Sequence, residues 1–278
     1  MNHARQDRGG GPMPQDVSAQ EQDGAVLTAP RRRRRLGPWQ ALWLLLGFVG
    51  MQFAGVVGVT AIHAFGVGFA AAAAHRPVPP IPFTPRMLAE GVVVGYALSA
   101  VWSVWYVRRR AGERMRLGAP DGVAWRPAPG RGYAVALVLG LAAAGLAAAF
   151  LYLIPVNPGA ISPLPLIPQA SYPLWLAAAG LAIIFVVAPM AEEFVFRGGM
   201  FAALAGRMGA IWAGVVTTIA FVALHAPQKI HYPPGFIDVG AMAAAAAWVR
   251  VRYQSIRPAM LLHFVYNGVV MITAMLLR

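Results

Sequence analysis

The sequence contains no cysteine. That excludes disulfides, thiolate metal sites and cysteine nucleophiles. Charge is also scarce: 12% of the 278 residues are charged, against about 25% in an ordinary soluble domain. Acidic side chains number 10, and arginine is used almost to the exclusion of lysine. The apolar runs do not alternate with polar residues, which removes the β-barrel solution. No internal repeat is visible. A His-Glu-x-x-His zinc signature is also lacking.

What is present is apolar. Hydrophobic residues make up 58% of the chain, and several runs approach or exceed the ~18–20 residues that cross a bilayer. The expected fold is an all-α multi-spanning membrane protein of about seven transmembrane helices. In a soluble protein a net charge of +13 would point to nucleic acid. Here the arginines cluster at the ends of apolar runs, where they set topology and meet anionic lipid. The bilayer is therefore the expected partner, and nucleic acid is not.

Residues 1–35 read as a disordered basic cytoplasmic tail that ends in five arginines, Arg31–Arg35. The single transmembrane domain is expected over 36–278. The apolar stretch that follows the tail is too long for the 7–15-residue core of a signal peptide. The expected spans are 39–74, 87–107, 133–154, a fourth from 174 to about 206, then 211–225, 236–249 and 259–277. The loop Arg108–Arg131 holds seven arginines, and the loop Pro155–Pro173 has no charged residue. This asymmetry puts the first inside and the second outside. The result is a multi-pass protein of the inner (plasma) membrane with its N-terminus in the cytoplasm. Glu90, His75, His231 and Asp238 fall near span ends, where snorkelling to water suffices. His63 reads as structural. Ala243–Ala247 reads as a close-packing face.

Three polar clusters interrupt the oily second half. The first is Glu192-Glu193-Phe194-Val195-Phe196-Arg197, the second runs from Phe221 to His225, and the third from His263 to Asn267. A charge at the centre of a membrane helix costs about 2.5–3.5 kcal/mol or more, so these are functional candidates by default. Glu193 and Arg197 are spaced i,i+4 with the acid first, the favourable order for an intrahelical pair. Glu192, about 100° round the helix, is left to face a polar cavity as a general base. Glu192 lies 14 residues before Gly206, and His225 lies 16 after Gly209. A hairpin turning at Gly206–Gly209 would thus bring the two to similar depth. His263 and Asn267 are again i,i+4 and project from one helix face, as donors to a developing oxyanion must. The site is expected between the fourth, fifth and last helices.

With these residues the sequence resembles the CPBP family of intramembrane endopeptidases, also called the Abi or CAAX-protease family and similar to type II CAAX prenyl endopeptidases. The family pattern is Glu-Glu-x-x-x-Arg, then Phe-x-x-x-His, then His-x-x-x-Asn on successive membrane helices. Glu192, Glu193 and Arg197, Phe221 and His225, and His263 and Asn267 fill it in order. The resemblance covers roughly 174–270. It implies that Glu192 and His225 activate a water, that His263 and Asn267 stabilise the oxyanion, and that Glu193, Arg197 and Phe221 support the site. Substrates would be membrane-embedded or lipidated polypeptides. No cofactor is favoured, and zinc held by two histidines and a carboxylate is the alternative. The rival function is a non-catalytic membrane protein that kept the polar cluster, either a proton-coupled carrier or an interaction or immunity scaffold. A carrier built from repeats finds no support in this sequence.

Overall fold

The computed structural model describes residues 37–111, 118–154, 169 and 171–276. The tail 1–35 and most of the charge-free loop before Pro173 lie outside the described residues. Every regular element described is helical: α1 Pro38–Ala73, α2 Pro85–Ala111, α3 Gly130–Leu153, α4 Leu174–Leu224, the single turn α5 Ala226–Lys229, α6 Pro234–Tyr253 and α7 Arg257–Leu276. Continuous helix suits a bilayer, because each backbone N–H finds its partner within the same segment.

Five of these helices, α1, α2, α3, α4 and α7, are long and apolar enough to cross a membrane. The fourth is 51 residues long and does not run straight. At Gly209 the backbone has φ 81° and ψ 165°, a region open essentially to glycine. The chain reverses there. Phe196 of the first arm consequently packs edge-on against Phe221 of the second, with ring centroids 5.1 Å apart. The fourth and fifth expected spans are thus the two arms of α4, and the expected turn falls at its last glycine.

The expected sixth span is where the structure differs. α6 has 20 residues but is not among the helices apolar enough to cross alone. It carries Asp238 and Arg250, both buried against neighbouring helices. Because α6 faces protein along much of its length, its sequence did not need the apolarity of a lipid-facing helix.

α1 and α2 pair closely. Gly91 and Gly95 form a small-xxx-small step opposite Gly55. A β-carbon at Gly95 would stand 2.7 Å from the Gln52 carbonyl oxygen, and one at Gly91 2.6 Å from the Val56 α-carbon. The backbones touch where side chains would otherwise hold them apart. Farther along the pair, His63 Nε2 lies 2.8 Å from Glu90, and Arg86 Nε donates to the other Glu90 oxygen at 2.9 Å. Glu90, expected to snorkel, is instead paired across the two helices. His63 is structural in the sense expected.

The centre of the bundle is the middle of α4. All seven residues of Phe194–Met200 are buried, as are Glu192 and Glu193. Two π-helical segments, Ile183–Val187 and Phe194–Met200, bracket the short α-helical piece Ala188–Glu193. Such segments are rare and concentrate at functional sites.

Candidate active site

Pro189 explains the first π segment and one of its contacts. In the π register the Ala188 N–H donates to the Ile183 carbonyl, five residues back. The next donor in that register would be residue 189, aimed at Ile184. Pro189 has no N–H, so the Ile184 carbonyl is left without a helical partner. Asn267 of α7 supplies one: its Nδ2 donates to Ile184 O at 3.0 Å. An amide expected to serve the reaction thus also closes a gap in the backbone of the carboxylate-bearing helix. Its second N–H stays available.

Glu193 and Arg197 pair as their spacing predicts. Arg197 Nη1 donates to Glu193 Oε1 at 3.1 Å, and both side chains are fully buried. Arg197 Nη2 donates to the carbonyl of Ala243 on α6 at 2.6 Å, and its guanidinium lies over the Phe221 ring at 4.8 Å. The charge is therefore met by an anion, a carbonyl and a π face. Ala243, Ala246 and Ala247 are buried, the close-packing surface that lets α6 approach.

His263 bridges the two glutamates. Its Nδ1 stands 3.0 Å from Glu193 Oε1, and its Nε2 3.9 Å from Glu192 Oε2. A carboxylate shared with an arginine accepts, so Nδ1 of His263 carries the proton and donates. Nε2 is then directed at Glu192 across a gap too long for a direct hydrogen bond. A water set to one side of the pair would lie within hydrogen-bond reach of both. This is a place where a nucleophile could be held and deprotonated.

His225 sits at the end of the second arm. Its Nδ1 donates to the Phe221 carbonyl at 2.9 Å, which leaves Nε2 as a free acceptor. Glu192 and His225, expected at similar depth, make no hydrogen bond to each other; their bonds go to Tyr96 and to the Phe221 carbonyl. The two histidines are related instead through Phe221. That ring stacks on His225 at 4.5 Å and meets His263 edge-on at 5.6 Å. Phe221 packs at the point where both histidines and Arg197 converge.

Three contacts had no sequence signal. Tyr96 Oη on α2 donates to Glu192 Oε1 at 2.8 Å, although a lone tyrosine in an apolar span belongs to no motif. Arg250, expected as a topology residue at a span end, is fully buried. It donates to the carbonyls of Arg197 at 3.0 Å, Pro120 at 2.8 Å and Gly122 at 3.1 Å. Asp238 is also buried rather than snorkelling, and its Oδ2 accepts from Tyr266 Oη at 3.1 Å. Tyr266 lies between His263 and Asn267 in sequence, so this bond ties that stretch of α7 to α6.

A zinc site would need two histidines and a carboxylate converging on one point. Among the described residues, no three His, Asp or Glu side chains are grouped to hold a metal ion. His263 Nε2 and Glu192 Oε2 approach to 3.9 Å, and no third His, Asp or Glu among the described residues joins them in one group. The residues do not fit a zinc centre in this arrangement.

Residues 173–269 match the family model described as type II CAAX prenyl endopeptidase Rce1-like. The matched segment contains α4 and α6 in full and α7 through Val269, so Asn267 is included. In comparisons with curated proteins and with solved structures, nothing matched.

Proposed function

We propose, on the match of residues 173–269 to the type II CAAX prenyl endopeptidase Rce1-like family model, that the chain is an intramembrane endopeptidase hydrolysing peptide bonds of membrane-embedded or lipidated polypeptides. One observation carries the reading. Glu192 Oε2 and His263 Nε2 face each other at 3.9 Å inside a buried cluster.

In the proposed reaction Glu192 takes a proton from a water bound beside that pair, and the water oxygen attacks the scissile carbonyl carbon. The carbonyl π electrons move onto oxygen. As the tetrahedral intermediate collapses, the C–N bond breaks and the proton held by Glu192 passes to the leaving nitrogen. His225, with Nε2 free, orients the water or the substrate carbonyl. The second N–H of Asn267, with His263 beside it, stabilises the oxyanion, a kind of contribution worth about 10²–10³ in rate per donor. Glu193 and Arg197 hold His263 in place. The chemistry is assigned to protein groups alone. The arginine-rich end of the bundle faces the cytoplasm, as the excess of arginine in the connections there argues.

The test compares membrane and released peptides from cells carrying the wild type and Glu192→Gln. Peptides that appear only with the wild type, while both proteins insert to equal levels, are the expected result. Identical peptide sets would reject proteolysis at this site.

A further inference from the structure

The matched segment begins at residue 173, yet one contact to the carboxylate assigned as base comes from outside it. Tyr96 of α2 donates its phenolic proton to Glu192 Oε1 at 2.8 Å. We propose that Tyr96 is a positioning residue of the active site, and that the catalytic unit therefore includes α2. This rests on the proteolytic reading given above.

The argument begins with the two oxygens of Glu192. A carboxylate on a flexible side chain can rotate, and a base must present one oxygen to its water in a fixed direction. Tyr96 engages Oε1. The other oxygen, Oε2, is the one 3.9 Å from His263 Nε2. The phenol thus decides which oxygen is held and which is free. Glu192 is only 3% exposed, so bulk water does not compete for Oε1.

Tyr96 is itself held rigidly. It follows Gly95, whose close approach to Gln52 of α1 fixes the height and rotation of α2 at this point. Its ring meets Phe48 of α1 edge-on, with centroids 6.4 Å apart and planes at 81°. Phe48 is fully buried. The chain of support runs from the glycine contact between α1 and α2, through Tyr96, to Glu192. The first two helices acquire a task beyond anchoring, because they aim the base.

The bland alternative is that a tyrosine in an apolar span merely takes the nearest acceptor. The two differ in what removing the hydroxyl does. Tyr96→Phe keeps the ring, its packing on Phe48 and the volume. If Tyr96 positions Glu192, the variant should fold as the wild type does and keep KM, while kcat falls about 10–100-fold, the scale of a misplaced catalytic group. In a Glu192→Gln background the same change should add nothing, because the group it acts through is gone.

The experiment uses full-length protein in lipid vesicles. The probe is an internally quenched copy of a peptide whose release depends on Glu192. A second readout needs no turnover: the infrared difference between wild type and Glu192→Gln isolates the carboxyl band of Glu192, and Tyr96→Phe should shift it. A shifted band together with a kcat loss at constant KM supports the proposal. A shifted band with unchanged kcat overturns the positioning role, and an unshifted band overturns the contact. A loss of activity that follows a loss of folded protein reduces Tyr96 to packing. If no peptide depends on Glu192, the proteolytic reading fails and this proposal falls with it, whatever the infrared band does.

Discussion

Arg197 divides one guanidinium between Glu193 at 3.1 Å and the Ala243 carbonyl at 2.6 Å, and lies over the ring of Phe221. Nothing else in the described structure offers Glu193 a full positive charge. Removing one partner of a fully buried pair leaves an uncompensated charge and costs about 3–5 kcal/mol. Arg197→Ala is therefore expected to lower the amount of folded protein in the membrane before any question of rate arises. Arg197→Lys should recover only part of the loss, since one ammonium on a flexible stem does not reproduce the planar fork that reaches both partners. Gel filtration of the detergent-extracted protein and its thermal midpoint check this. An Arg197→Ala protein as stable as the wild type would show that Glu193 is satisfied without the arginine. Arg250 belongs to the same scale, but no anion pairs with it among the described residues. Its partners are three carbonyls, one of them that of Arg197 itself. It holds the carboxylate-bearing arm of α4 against the connection that precedes α3.

Along α4 the decisive feature is a missing hydrogen. Pro189 leaves the Ile184 carbonyl without a helical donor, and Asn267 fills it from α7. Asn267→Ala should therefore do two separable things. It should lower kcat about 10²–10³-fold if the second N–H serves the oxyanion, and lower stability by about 1 kcal/mol through the lost interhelical bond. Pro189→Ala restores a backbone N–H to the stretch. In that background the stability deficit of Asn267→Ala should shrink, while the kinetic deficit persists. Thermal midpoints and kcat for the four proteins of this cycle measure both effects, and an unchanged deficit in stability would show that the proline does not create the need for Asn267. The same element marks what could be read in advance. The i,i+4 pairs Glu193–Arg197 and His263–Asn267 were legible because helical spacing alone puts them on one face, and the hairpin because glycines punctuate it. The partners of Glu192 were not. They depend on how α2 and α7 lie against a helix whose register two π segments have shifted, and Tyr96 is 96 residues away in the chain. Arg250 looked like every other arginine at the end of an apolar run. Only the carbonyls that surround it set it apart.

The whole molecule has two chemically distinct ends. At one end Arg250 reaches the carbonyls of Pro120 and Gly122, and Ser255 Oγ donates to Arg126 O at 2.5 Å. The connections at this end carry Arg108, Arg109, Arg110, Arg126 and Arg131, with Arg207, Arg252 and Arg257 beside the later turns. At the other end Tyr172 Oη donates to the Pro85 carbonyl at 3.1 Å, joining two proline-rich connections. Arginine in short connections is retained on the cytoplasmic side, so one bundle with one arginine-rich end has one favoured orientation. Because the chain has no cysteine, single reporters need no background substitutions. Gly118→Cys places a thiol at the arginine-rich end, where an added β-carbon would meet nothing closer than 3.6 Å. Ser171→Cys places one at the opposite end, on an exposed residue. A membrane-impermeant maleimide should label Ser171→Cys in intact cells and Gly118→Cys only after the membrane is opened. The reverse pattern would invert the topology and give the carboxylate-bearing arm the opposite direction through the bilayer. Labelling of both in intact cells would mean that the two ends share one side, which no bundle with these crossings permits.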